Sequence, residues 1–421
     1  MERYSSYKDS GISWIGMIPE HWETKQLRSF LTLFTEKGHG DAQLLSVTRE
    51  QGVIVRDKDD KDENHNFVPD DLSGYKYIEK GDFAINKMKA WQGSYAVSDY
   101  CGIVSPAYYT CKLKGVNKNF FSKAIRSKAY VPFFTQYSKG IRVGQWDLNP
   151  NALKSIPFIL PPINEQQSIV AFIEEKCQKI DMYVAEKEKE IQLLQELKQK
   201  TIADAVTKGL NPDVKLKDSG ISWIGMIPEH WEIRRLSQVS YEHYLSNREV
   251  HHQNLLSLSY GRIIRKDINT TEGLLPASFD TYQIVEEGNI VMRLTDLQND
   301  HKSLRVGLVN EEGIVTSAYV CLGVFSSVVP AFLYYVLHSY DIKKLFYSMG
   351  GGLRQNLNWQ GLKKLDLPLP SKAEQQAIVT YIKEKCQKID TLVTELQAEI
   401  DYMNEYKQRL IADCVTGQVK V

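Results

Sequence analysis

The feature that most limits what this chain can fold into is a repeat with a single offset. Residues 8–23 read KDSGISWIGMIPEHWE, and residues 217–232 read the same sixteen letters 209 positions later. EKCQKID recurs at 175–181 and 384–390, and 13 of 17 positions are identical between 165–181 and 374–390. IADAVTKG at 202–209 answers IADCVTGQ at 411–418, again at 209. A period this long describes two domain-sized units rather than a solenoid. Length alone, at about 150 residues per domain, suggests about three domains. The match is uneven. The middles, 24–157 and 233–366, keep only echoes such as Gly81-Asp82 against Gly288-Asn289, Tyr108 against Tyr319, and Gly140-Ile141-Arg142 against Gly352-Leu353-Arg354. A fixed frame around two divergent inserts suits a protein that reads two different objects from symmetric positions.

Each unit closes on a long helical pattern. From about Glu165 no Gly or Pro occurs until Gly209, and from about Glu374 none until Gly417. Prolines precede both runs, so proline before and glycine after mark start and stop. Ser371 with Glu374 fits a capping box, and Asn164 with Gln167 a weaker one. Positions 389, 393, 396, 400, 403, 407, 410 and 414 are Ile, Val, Leu, Ile, Met, Lys, Leu and Cys. That 4-3 spacing is a coiled-coil seam. The first copy is weaker, because Lys187 and Lys198 interrupt it. Each helix is about 40 residues, roughly 60 Å at about 1.5 Å per residue. The two seams are expected to pair antiparallel, giving a pseudo-two-fold tandem repeat. Parallel pairing, or pairing with another chain, is the alternative.

The middles read as mixed α/β (α+β). Strands are expected at 43–47, 53–55, 83–86, 103–111, 290–293 and 314–322, and helices at 119–127 and 330–340. The expected layout is a repeated module at 1–23, an insert at 24–157, a helix at 158–208, a linker and second module at 209–232, an insert at 233–366 and a helix at 367–421.

The 52 basic and 52 acidic side chains give zero net charge, which on its face argues against a nucleic-acid partner. The zero is an average. Residues 101–157 carry +8, residues 51–100 carry −3, the whole first middle +6, the second +1 and the first helix −2. Lys123, Arg126, Lys128, Lys139, Arg142 and Lys154 make the basic stretch. Two segments mix Gly, Arg, Gln or Asn, and Trp: KGIRVGQW at 139–146 and GGGLRQNLNW at 350–359. Glycine permits close backbone approach to a ligand, while Arg, Gln and Asn are bidentate readers of base edges. Lys139, Arg142, Gln145, Trp146, Arg354, Gln355, Asn356 and Asn358 are therefore DNA-contact candidates. Lys87, Lys89, Trp91 and Arg293 join them, since each follows an expected strand. The plainer reading is a surface loop whose Arg makes an ion pair and whose Trp fills the core.

No catalytic constellation stands out. GxxxxGK[ST], HExxH, GxSxG and the [ND]PP[YF] motif are absent, and Asn149-Pro150-Asn151 does not fit the last. His251-His252 has no partners that would make a metal site. Six cysteines form no CxxC pair, no apolar run approaches about 20 residues, and MERYSSYKDS lacks a signal-peptide core. The expectation is a reduced, cytoplasmic protein without a membrane segment.

Together these segments resemble the specificity (S) subunit of type I restriction–modification systems. The residues carrying the likeness are SGISWIGMIPEHWE at 10–23 and 219–232, PPINEQQSIVAFI at 161–173, PSKAEQQAIVTYI at 370–382, and the helix ends DAVTKG at 204–209 and DCVTGQ at 413–418. The resemblance implies a non-catalytic subunit. Its middles would be target-recognition domains, each binding half of a bipartite target in double-stranded DNA, on an antiparallel coiled-coil spacer. It implies two modification (M) subunits that methylate adenine with S-adenosylmethionine, and restriction (R) subunits that use ATP and Mg. No cofactor or metal is expected on this chain itself. The competing reading is a coiled-coil scaffold for protein partners, without DNA.

Overall fold

The computed structural model describes residues 2–57, 69–140, 146–249, 252–268, 278–298, 304–349 and 356–421. The chain forms two compact units: Met1–Glu188 with Ala398–Val421, and Lys189–Gln397. Each unit thus takes part of both long helices.

In the first unit the repeated module is a hairpin, Tyr7–Asp9 against Met17–Pro19, with Ile18 and Trp22 fully buried. The next strand, Glu23–Gln26, pairs antiparallel with Pro157–Leu160. The insert is therefore bracketed by strands that precede and follow it. Inside the bracket lies a four-stranded antiparallel sheet, in the spatial order Leu31–Phe34, Tyr108–Leu113, Phe83–Asn86, Tyr95–Val97. A helix, Lys118–Ile125, packs its Phe120, Phe121, Ala124 and Ile125 into the core. That i, i+1, i+4, i+5 spacing puts all four on one helical face. Asn117 starts the helix by accepting from the N–H groups of Asn119 and Phe120, which would otherwise have no partner.

The second unit repeats the plan. Leu216–Asp218 pairs with Met226–Pro228, and Glu232–Arg235 brackets with Asp366–Leu369. Its sheet runs Ser240–Glu242, Val320–Val324, Ile290–Met292, Val306–Leu308. Its helix is Pro330–Ile342. Mixed α/β content is as expected.

The strands expected at 103–111 and 314–322 are each two: Gly102–Val104 with Tyr108–Leu113, and Gly313–Val315 with Val320–Val324. A tight turn divides each run. Tyr108 N–H donates to the Ser105 carbonyl at 3.0 Å, and Tyr319 N–H to that of Thr316 at 3.2 Å. Pro106, without an N–H, could not have continued the ladder.

The long helices are Ile163–Lys208 and Lys372–Val415. The first begins ahead of Asn164, so Asn164 lies inside it and makes no capping box. Pro162 instead stands where the second helix has Ser371, and its carbonyl accepts from Gln166 N–H. Ser371 Oγ does accept from Glu374 N–H, at 3.3 Å. Both glutamate side chains turn elsewhere, as described below.

In the first unit Lys407 pairs with Asp181, and Tyr183 OH donates to Glu399 at 2.8 Å, so contacts ascend one helix as they descend the other. Within that unit the helix segments run antiparallel. In the second unit Lys198 pairs with Asp390. The seam is the buried stripe: Ile180, Ala205, Ile389, Leu396, Ile400, Leu410 and Cys414 are all buried. The interrupting Lys187 and Lys198 lie half-buried beside Glu399 and Asp390. Among the described residues, no helix is long and apolar enough to cross a membrane.

Candidate nucleic-acid interface

The repeated letters build a lock that holds each insert. Glu165 accepts Trp22 Nε1 at 2.9 Å and Tyr4 OH at 3.0 Å, and lies 2.6 Å from His21 Nε2. Glu374 accepts Trp231 Nε1 at 3.0 Å and meets His230 at the same distance. The next glutamine faces the insert. Gln166 accepts from Asn117 N–H and donates to the Pro161 carbonyl, both at 2.8 Å. Gln375 does the same with Val329 N–H and the Pro370 carbonyl. EHW and EQQ, remote in sequence, are thus two halves of one contact. Burial would raise the Glu165 pKa, but the hydrogen bonds from Trp22, His21 and Tyr4 prevail and hold it below the usual carboxylate range.

On this frame, each unit brings two distant segments together at one end of its sheet. In the first unit they are the loop after Phe83–Asn86 and the segment returning at 146–149. Leu148 N–H donates to the Lys87 carbonyl at 3.1 Å. Lys87 Nζ lies 3.0 Å from Asp147, whose hydrogen bond holds the ammonium above the usual lysine range. The Trp91 and Trp146 rings tilt against each other at 5.2 Å, half-buried. Lys139 is exposed and opposes Asp147 in a short antiparallel pairing. Lys89 is exposed on the same loop. A cavity of about 500 Å3, lined by Tyr109, Tyr137, Lys139 and Asp147, opens beside them.

The second unit has the same tie with different side chains. Leu357 N–H donates to the Leu294 carbonyl at 2.9 Å, and Asp296 N–H to the Asn356 side chain at 2.9 Å. These bonds make Asn356 the counterpart of Asp147, and Leu294 that of Lys87. Arg293 is half-buried at the start of the loop. Asn358 caps a short helix, accepting from Gly361 N–H at 3.2 Å, as Asn149 does with Asn151 and Ala152. Trp146 and Trp359 are therefore not counterparts: Trp359 opens the helix that Asn358 caps. Arg142, Gln145, Arg354 and Gln355 lie outside the described residues.

The sequence reading missed two side chains that organise this region, and the role of a third. Asp147 was invisible as the partner of Lys87, which is 60 residues away. Arg305 is fully buried, with its guanidinium on the carbonyls of the 293–296 loop. Arg126, counted in the basic stretch, donates to the carbonyls of Tyr95, Arg49 and Glu50. Lys123 pairs with Glu174 and Lys112 with Glu79 and Asp82. Part of the +8 stretch is thus engaged inside the unit, whereas Lys128 and Lys139 are exposed. Among the described residues, no group of His, Cys, Asp and Glu could hold a metal ion.

Comparison with known proteins bears on the whole chain. The type I restriction enzyme MjaVIII specificity subunit of Methanocaldococcus jannaschii is 24% identical over 96% of this chain and 94% of its own. The MjaX counterpart from the same organism is 24% identical over 97% and 96%. In fold, the chain resembles one from a structure of type I R-M system assembly and conformational transition, with TM-score 0.67, 15% identity, and coverage of 96% and 99%. It also resembles the HsdS subunit of Thermoanaerobacter tengcongensis, with TM-score 0.52, 14% identity, and coverage of 96% and 98%. The type I restriction modification DNA specificity domain matches residues 309–402, and the likenesses to type I specificity subunits run along nearly the whole length of the chain.

Proposed function

We propose that the chain reads an asymmetric, bipartite target in double-stranded DNA, one insert to each half-site. The observation that carries this is the repeated tie. Leu148 to Lys87 and Leu357 to Leu294 hold the same two segments together in each unit, while the side chains they present differ. One backbone platform with two sets of readers suits two different half-sites. The target-recognition domains are 24–157 and 233–366. Exposed Lys89 and Lys139 meet phosphate, and Arg293 and Asn356 lie where base edges would be read. Pairing of the two long helices as an antiparallel coiled coil sets the spacing between half-sites, as fixed geometry does in dimeric DNA readers.

The chain performs no chemistry in this reading. Two M subunits carrying S-adenosylmethionine methylate the target, and R subunits with ATP and Mg cleave. The test is a gel shift with M subunits present, followed by mapping of methylated adenines. A steep salt slope and a split, asymmetric motif are expected. Salt-independent or absent DNA binding would favour the scaffold reading. Adding helical turns to both long helices should change the number of unspecified bases, and unaltered spacing would defeat the ruler.

A further inference from the structure

We propose that Arg305 is a positioning residue for base readout by the second unit alone; this rests on the reading above. A guanidinium in a protein interior is costly unless its donors are satisfied. Arg305 is 0% exposed, and its guanidinium donates to backbone carbonyls and to one tyrosine hydroxyl. Nη1 donates to the carbonyls of Arg293 at 3.1 Å and Thr295 at 2.9 Å. Nη2 lies 3.4 Å from that of Asp296, and Nε donates to Tyr347 OH at 3.0 Å. The buried carboxylate of Asp341 accepts the Arg305 backbone N–H at 2.5 Å. Three carbonyls of one short loop therefore converge on one side chain.

That loop is the one that carries Arg293 and is tied to Asn356. Its Asp296 has a φ of +56°, uncommon outside glycine, and turns its N–H to the Asn356 side chain. Arg305 holds the loop through its carbonyls, and the returning segment holds it through Asp296 and Leu294. The first unit works otherwise. There the matching position is Ser94, since Asn86 N–H donates to the Ser94 carbonyl as Arg293 N–H donates to that of Arg305. The first loop is held instead by the partly exposed Lys87–Asp147 pair and the two tryptophans. Arg305 is thus a device of one half-site, and its loss should blur one half of the target.

The experiment uses the full complex with M subunits and compares Arg305→Lys and Tyr347→Phe with wild type. Methylation is measured on duplexes carrying the mapped target and on duplexes with one base changed in either half. Both variants should assemble. Discrimination should fall about tenfold in one half-site, the same one in both variants, and stay unchanged in the other. Unchanged discrimination, or an equal fall at both half-sites, would overturn the assignment. If Arg305→Lys does not assemble, Tyr347→Phe decides by the same criteria. A wild-type complex that tolerates any base in either half would sink the underlying reading instead.

Discussion

The Lys407 ammonium lies 2.5 Å from the Asp181 carboxylate, and the residues 209 positions away repeat the pair as Lys198 with Asp390 at 2.6 Å. Each lysine is at a seam position where the heptad calls for an apolar side chain, and each is matched by an acid on the facing helix. A polar residue in a seam costs stability but selects register and direction. Asp181→Lys should lower the unfolding midpoint by about 1 kcal/mol equivalent, since it places like charges together at a partly exposed site. Adding Lys407→Asp should restore most of it. A double variant no more stable than the single one, in thermal unfolding at low salt, would show that the pair does not set the register.

The Glu165 lock predicts acid sensitivity of the first unit. Its folded pKa is lowered, so its contribution is fully present above the ordinary value near 4.5 and is lost as pH falls through the lowered folded value. Glu165→Gln should destabilise at neutral pH, and the gap from wild type should narrow below about pH 4.5. Midpoints of urea unfolding from pH 7 to pH 3 measure this directly.

Burial pushes the His338 pKa down to about 4, with Lys198 adding to the effect. The folded second unit holds the neutral ring, while the unfolded chain takes up a proton near pH 6.5. Stability is therefore complete above about pH 6.5 and falls toward pH 4, by up to about 3 kcal/mol from this one group. His338→Gln should flatten that part of the pH profile. An unchanged slope would locate the titration elsewhere.

The glycines that end the two helices should differ in their tolerance of a side chain. Gly417 has φ +75°, and a Cβ there would collide with the Pro19 ring. Gly209 has φ +74°, but its nearest neighbour would be Trp231 at 3.2 Å. Both pay for left-handed backbone, about 1 kcal/mol. Only Gly417→Ala must also shift the module. It should lose more stability than Gly209→Ala and release the Gln418 contact with the Met17 carbonyl, visible as faster amide exchange around residues 417–420.

The frame was legible because its determinants are local or repeated. Proline and glycine delimit the long helices, a 3.5-residue apolar period marks their buried stripe, and identical letters at one offset announce two units. Strand 83–86 was read from its apolar run alone. What the sequence could not disclose was pairing across distance. Nothing in the letters joins Trp22 to Glu165, Asp147 to Lys87, or Arg305 to three carbonyls, because hydrogen-bond geometry depends on where the chain returns. For the same reason the basic stretch could not show that Arg126 and Lys123 are engaged inside the unit. Periodicity and repetition within the sequence determined the repeat at an offset of 209 and the two long helices that recur with it. Tertiary structure alone decided which side chains satisfy buried partners and which stay exposed, because that depends on where the chain returns.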